Sequence, residues 1–237
     1  VEGDMDYQAF AGSQEESKSS VQRFVTKVYG WMCAALLTTG FVSYYVVSNE
    51  ALLRRIFQSP GTLMILVIAQ LGLVIGLSAA INKLSTTVAT AMFFLYSALT
   101  GITLSSIFLV YTHESLTSTF VITAGTFGAM SFYGYLTKKD LTSMGNLAFM
   151  GLIGIIIASV VNIFVKSTFI YTATTYIGVL VFVGLTAYDA QKIKQMARFL
   201  NPESSEEQKG AIIGALRLYL DFINLFLMLL RLLGRRR

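Results

Sequence analysis

Hydrophobic residues in this chain gather in seven long runs, at 28–47, 61–81, 87–111, 116–136, 147–165, 172–188 and 211–233. Each is close to the ~20 residues that carry a helix across ~30 Å of hydrocarbon. Polar positions are pushed into the gaps: Glu50, Arg54 and Arg55 in the first, Lys83 in the second, and Lys138, Lys139 and Asp140 in the fourth. The runs are continuous rather than alternating, which excludes the ten-residue pattern of a membrane barrel and leaves helices, the other form that satisfies its own backbone in lipid. Composition agrees, with 54% hydrophobic and 13% charged residues against about 25% charged in an ordinary soluble domain. The pattern predicts an all-α integral membrane protein with seven transmembrane helices in one domain at 22–234, flanked by a polar acidic tail at 1–21 and a basic end at 235–237. The tail has no periodicity and is expected to be disordered. No basic stretch, short apolar core and cleavage site stands before it, so the first run is expected to serve as an uncleaved insertion signal.

Pro60 and Pro202 fall in connections, so breaks within spans are expected from glycine or buried water rather than proline. Small residues recur every fourth position at Ser97, Gly101 and Ser105, at Ala124 and Gly128, and at Gly154 and Ala158. This spacing lets membrane helices approach closely. Trp31, Tyr44, Tyr45 and Tyr111 are read as interfacial anchors and Cys33 as a packed thiol. With seven spans, ten Lys and Arg residues fall on the side of the tail and six on the other. The positive-inside rule then puts the N-terminal side in the cytoplasm, unless the last segment is only half inserted.

Several chemistries are excluded. One histidine, His113, and one cysteine do not make a zinc site or supply an in-span catalytic base, and no phosphate-binding or dinucleotide fingerprint is present. Neither an enzyme nor a resident cofactor is expected. The net charge of +5 is accounted for by orientation and by contact with anionic lipid, so nucleic acid is not an expected partner.

The ionisable residues inside the runs carry more information. Asp221 lies within the apolar segment 218–233 and Asp189 closes another; an intramembrane carboxylate is a functional-site hypothesis by default. The sixth run heads toward the side from which the seventh starts, so the two acids can meet at similar depth. Arg217, one turn before Asp221, is expected to pair with it or to reach outward, and Asn224, three residues later, to donate a hydrogen bond to it. Arg231 is expected at the far interface. Two facing carboxylates away from water do not both ionise easily and titrate as a unit; doubly ionised, they offer a site for a divalent cation such as Ca2+. The alternative is a static carboxylate satisfied by its neighbours.

Segments 218–234 (LYLDFINLFLMLLRLLG), 186–194 (TAYDAQKIK) and 97–108 (SALTGITLSSIF) closely resemble the Bax inhibitor-1 family, also called the transmembrane Bax-inhibitor-motif proteins, and its bacterial inner-membrane branch in particular. The resemblance runs from about residue 22 to 234. It implies a seven-helix fold with two three-helix layers around a central C-terminal helix, and a pH-sensitive aspartate pair, Asp189 and Asp221, that gates a calcium leak. Some members add an acidic residue in the second helix and arginines near its cytoplasmic end. Here Gln70 stands at the acidic position and Asn82 and Lys83 where the arginines would be, which leaves Lys83 and Arg217 as candidate latch cations. Two other readings stay open: a non-conducting regulator that binds membrane proteins such as a quality-control protease, and a proton-coupled carrier.

Overall fold

The computed structural model describes the backbone from Glu2 onward and the side chains of residues 18–59 and 61–237. The chain folds into α1 (Glu2–Ser48), α2 (Glu50–Phe57), α3 (Pro60–Ala80), α4 (Thr86–Leu104), α5 (Ile107–Val110), α6 (His113–Leu136), α7 (Thr142–Val165), α8 (Thr168–Met196) and α9 (Ser205–Leu233). Among the described residues the only β feature is a bridge between Tyr111 and Arg236. Among the described residues six helical segments are long and apolar enough to cross a membrane: α1 from Lys18, α3 from Gly61, α4 with α5, α7, α8 and α9. Helix α6 has 24 residues too but lies outside that group, its run diluted by Ser, Thr and Gly. The tail expected at 1–21 falls, up to residue 17, outside the described side chains, whereas Val21 is buried in the core.

Polar residues in the connections start the helices. Asn49, Ser85, Thr112, Ser167 and Ser204 each accept the backbone N–H three residues on, satisfying one of the donors left free in a first turn. Pro60 is the first residue of α3, where its missing N–H costs nothing. The third run is not one helix, as expected from 87–111, but α4 and α5 separated at Ser105 and Ser106. Neither glycine nor proline makes this break. The hydroxyls of Ser105, Ser106 and Thr103 donate to the carbonyls of Ile102, Thr103 and Thr100, at 2.6, 2.9 and 2.9 Å, and such back-bonding competes with the helical ladder.

Helix α9 packs against α1, α4, α6 and α8, while α3 contacts α4 and α2, and α7 contacts α8. The apolar window of α9 is 72% buried, against 6% in α3 and 11% in α7, so the helix with the most charge inside its span is also the central one. Close packing follows only one of the three small-residue stripes. A side chain at Gly101 would collide with the backbone of Thr39 and with Val42, but Gly128 and Gly154 have open space before them, and Ala124 is exposed. The close approaches of α6 and α7 are made instead by Gly134 on the carbonyl of Ala187, Gly145 on the ring of Tyr188 and Gly151 on Val181. Spacing alone does not say which face of a helix has a partner.

The ends of the bundle are pinned separately. On one side Lys27 pairs with Glu207 at 2.9 Å, Lys209 reaches the Asn82 carbonyl at 3.4 Å, and Lys194 donates to the Tyr135 carbonyl at 2.6 Å. On the other, Thr112 N–H donates to the Arg235 carbonyl at 3.2 Å and the Arg231 guanidinium lies 5.6 Å from the Tyr171 ring. Helix α9 is therefore continuous from one end of the bundle to the other. Arg231 sits at the far end as expected. Tyr44 and Tyr45 are exposed like interfacial anchors, but Tyr111 is buried and Trp31 packs edge-on against Phe94. Cys33 is exposed on α1 rather than packed.

Candidate functional site

Helices α8 and α9 run antiparallel, with Gly178 against Met228 and Gly214 against Ile193. Between these contacts Asp189 faces Asp221. The start of α9 at Ser205, six residues before the expected boundary, puts Asp221 near the middle of the helix, ~24 Å along its axis. Asp221 is 5% exposed; its Oδ2 has no donor group as a partner, and the side chain within hydrogen-bonding reach of its carboxyl is that of Asp189. Asp189 is half-buried. Each carboxyl group lies in the other's field, and the Arg217 charge acts on both.

The supporting residues differ from expectation. Arg217 is exposed and makes no ion pair; among the described residues the only ones are Lys27–Glu207 and Arg54–Glu50. It takes the outward of the two expected courses, away from a buried pair. The Asn224 amide does not reach Asp221 but donates to the Leu220 carbonyl of its own helix at 2.8 Å. Lys83 is exposed in the α3–α4 turn, without an ion pair. Gln70 joins α3 to α4, donating to the Leu66 carbonyl at 3.2 Å and contacting Thr103 and Thr100 at 3.5 Å.

Helix α8 is held firmly on its other face. Gly134 and Gly145 admit Ala187 and Tyr188, the two residues before Asp189. Two residues after it, Gln191 accepts the Leu141 N–H at 2.9 Å and donates to the Lys139 carbonyl at 2.7 Å. Lys194 adds its bond to Tyr135 and lies 4.9 Å from that ring. The residues flanking Asp189 are thus held against α6, α7 and the turn between them. Two such carboxylates can share a proton or, ionised, attract a cation. Among the described residues no group of three or more His, Cys, Asp or Glu side chains is placed to hold a metal.

A second polar cluster lies on the opposite side of α9. The fully buried Tyr219 hydroxyl is 2.6 Å from Thr39 Oγ1, which donates to the Ser97 carbonyl at 2.9 Å. Ser43 donates to the Gly101 carbonyl at 2.8 Å, and Thr100 bonds to the Tyr96 carbonyl at 2.9 Å. The rings of Tyr96 and Phe93 meet Tyr219 edge-on, with centroids 5.8 and 6.0 Å away. This cluster was missed in the sequence, because its members come from three distant segments. A hint lay in Thr39 and Ser43, hydroxyls one turn apart facing the stripe of Ser97 and Gly101.

The chain matches the family model described as inhibitor of apoptosis-promoting Bax1 over residues 21–237. It is 56% identical over 223 residues to the inner membrane protein YbhL of Escherichia coli K12, covering 94% of this chain and 95% of the relative. A Borreliella burgdorferi protein is 47% identical, covering 95% and 97%, and a membrane protein of Streptococcus pyogenes serotype M1 is 36% identical, covering 93% and 96%. An all-helical bundle built around α9, together with matches along almost the entire chain, shows that this protein belongs to the Bax inhibitor-1 family.

Proposed function

We propose that the protein is a pH-sensitive cation leak, with calcium as the transported ion, gated by the proton shared between Asp189 and Asp221. The observation that carries this reading is the Asp221 carboxyl, enclosed at mid-helix with an unpartnered oxygen and a second acid beside it. A carboxylate kept only for structure would have a donor or a paired cation. With one proton shared, the acids attract and α8 stays on α9. Loss of that proton leaves two facing charges, which loosen the contact and draw in a divalent cation. The held face of α8 directs this response toward α9.

The same proposal takes α6 as a seventh span, arranges α1, α3, α4 and α6, α7, α8 as two layers about α9, and sets the bundle in a bacterial inner membrane. The N-terminal side faces the cytoplasm, following the ten-to-six excess of basic residues. No chemical conversion and no resident cofactor is assigned.

Calcium flux through purified protein in liposomes tests the reading. Flux that rises as pH rises supports it. Saturable exchange with an organic solute would replace it by a carrier; absence of flux together with copurification of a membrane protease would replace it by a regulator.

A further inference from the structure

Helices α1 and α6 both pack on α9 but scarcely touch each other. Between them lies an apolar groove of about 730 Å3, floored by Phe222, Ile223 and Phe226 of α9. That volume is ample for a ligand-sized occupant. Along α1 the groove extends from Cys33 to Ser43, ten residues or ~15 Å, about the depth of one leaflet of a ~30 Å hydrocarbon core. At its end Leu116 and Phe226, which line the groove, join Tyr111 and Leu230 in an apolar cluster, and there the chain lays down Arg235, Arg236 and Arg237.

Backbone bonds fix where these arginines stand. Arg235 N–H donates to Ser115 Oγ at 2.8 Å, and the next two residues, Leu116 and Thr117, line the groove on its α6 side. Arg237 N–H donates to the Val110 carbonyl at 3.0 Å, close to Phe108 on the opposite lip. Arg236 lies against Tyr111. Arg235 and Arg237 are exposed and belong to neither ion pair found among the described residues. An apolar slot one leaflet deep with two unpaired guanidinium-bearing residues at its mouth matches a molecule with a hydrocarbon tail and a phosphate head.

We propose that this groove binds an anionic phospholipid, with one acyl chain between α1 and α6 and the phosphate held by Arg235 and Arg237. Two of the floor residues directly follow Asp221 in sequence, so the bound chain braces α9 beside the acid pair. The inference does not depend on ion conduction.

Native mass spectrometry of the full chain, released from detergent with phosphatidylglycerol or phosphatidylcholine, provides the test. The wild type should retain phosphatidylglycerol preferentially. The double variant Arg235→Gln/Arg237→Gln should lose that preference by roughly thirtyfold, from about 1 kcal/mol for each basic residue at a membrane surface. Gly40→Leu, which adds a side chain where nothing lies within 4 Å, should fill the groove and lower retention of both lipids with the melting temperature unchanged. Equal retention of the two lipids by the wild type, an unaltered preference in the double variant, or undiminished retention by Gly40→Leu would overturn the proposal.

Discussion

Tyr219 and Asp221 stand two residues apart on α9, which turns them to opposite sides of the bundle, and the two sides treat buried polarity differently. Toward α1 and α4, Tyr219, Thr39, Ser43 and Ser97 exchange hydrogen bonds with one another or with backbone carbonyls. Toward α8, Asp221 keeps an oxygen without a partner, and its neighbour is another acid. The first arrangement holds three helices together at no electrostatic cost. The second has a contact energy that depends on the number of protons present. Burial of polar groups is common to both, and what separates them is whether the buried groups are satisfied.

The comparison is broken most severely by changing the face that holds α8. Gly134→Val places branched carbons against the Ala187 backbone and should destabilise the detergent-solubilised protein by roughly 1–3 kcal/mol or more. Gly128→Val, on an open face of the same helix, should leave the melting temperature nearly unchanged. Equal losses would mean that the grip beside Asp189 is not specific.

On the satisfied side, Tyr219→Phe removes the hydroxyl and keeps the ring, for a loss of about 0.6 kcal/mol, the average for interhelical hydrogen bonds in membranes. That loss should be the same at every pH. Asp221→Asn should behave oppositely: little change in acid, and greater stability than the wild type in alkaline solution, where the native pair carries two charges. Melting curves across pH distinguish the two, and a pH-dependent loss in Tyr219→Phe would merge the regions that α9 separates.

A smaller effect concerns the cation. The Arg217 charge acts on both acids whereas Lys83 stands in a distant turn, so Arg217→Gln should displace the pH profile of flux and Lys83→Ala should not. The reverse ranking would return the latch to the α3–α4 turn. The smallest effect belongs to Asp140, outside the spans. Hydrogen bonds from the Thr142 hydroxyl and N–H, at 2.6 and 2.9 Å, hold its carboxyl below the usual aspartate value. Its contribution is complete above the unfolded value and fades as pH falls through the lower, folded one. Asp140→Ala should therefore cost a little stability at neutral pH and none in strong acid.

Membrane character and the acid pair were legible because each depends on a local contrast: charge expelled from apolar runs, and Asp189 and Asp221 as exceptions to that expulsion. Helix positions were legible in outline from the apolar runs, although α2 and the break at Ser105 and Ser106 were not, since hydroxyl back-bonding has no apolar signature. What failed depended on partners. Nothing near Asn224 indicates that its amide bonds to its own helix, nor does the spacing of Ala124 and Gly128 indicate that their face is open. Thr39 and Tyr219 come together only through the packing of α1 on α9.

The central claim is that Asp189 and Asp221 act as one proton-sharing gate, and the pH profile of calcium flux in liposomes for Asp189→Asn, Asp221→Asn and the double variant tests it directly. Each single change keeps the shape and removes a charge, so each should flatten the profile, and the double variant should match either single one because members of a coupled unit are not additive. Wild-type pH dependence persisting in both single variants would contradict the account and leave the two acids without a role in sensing.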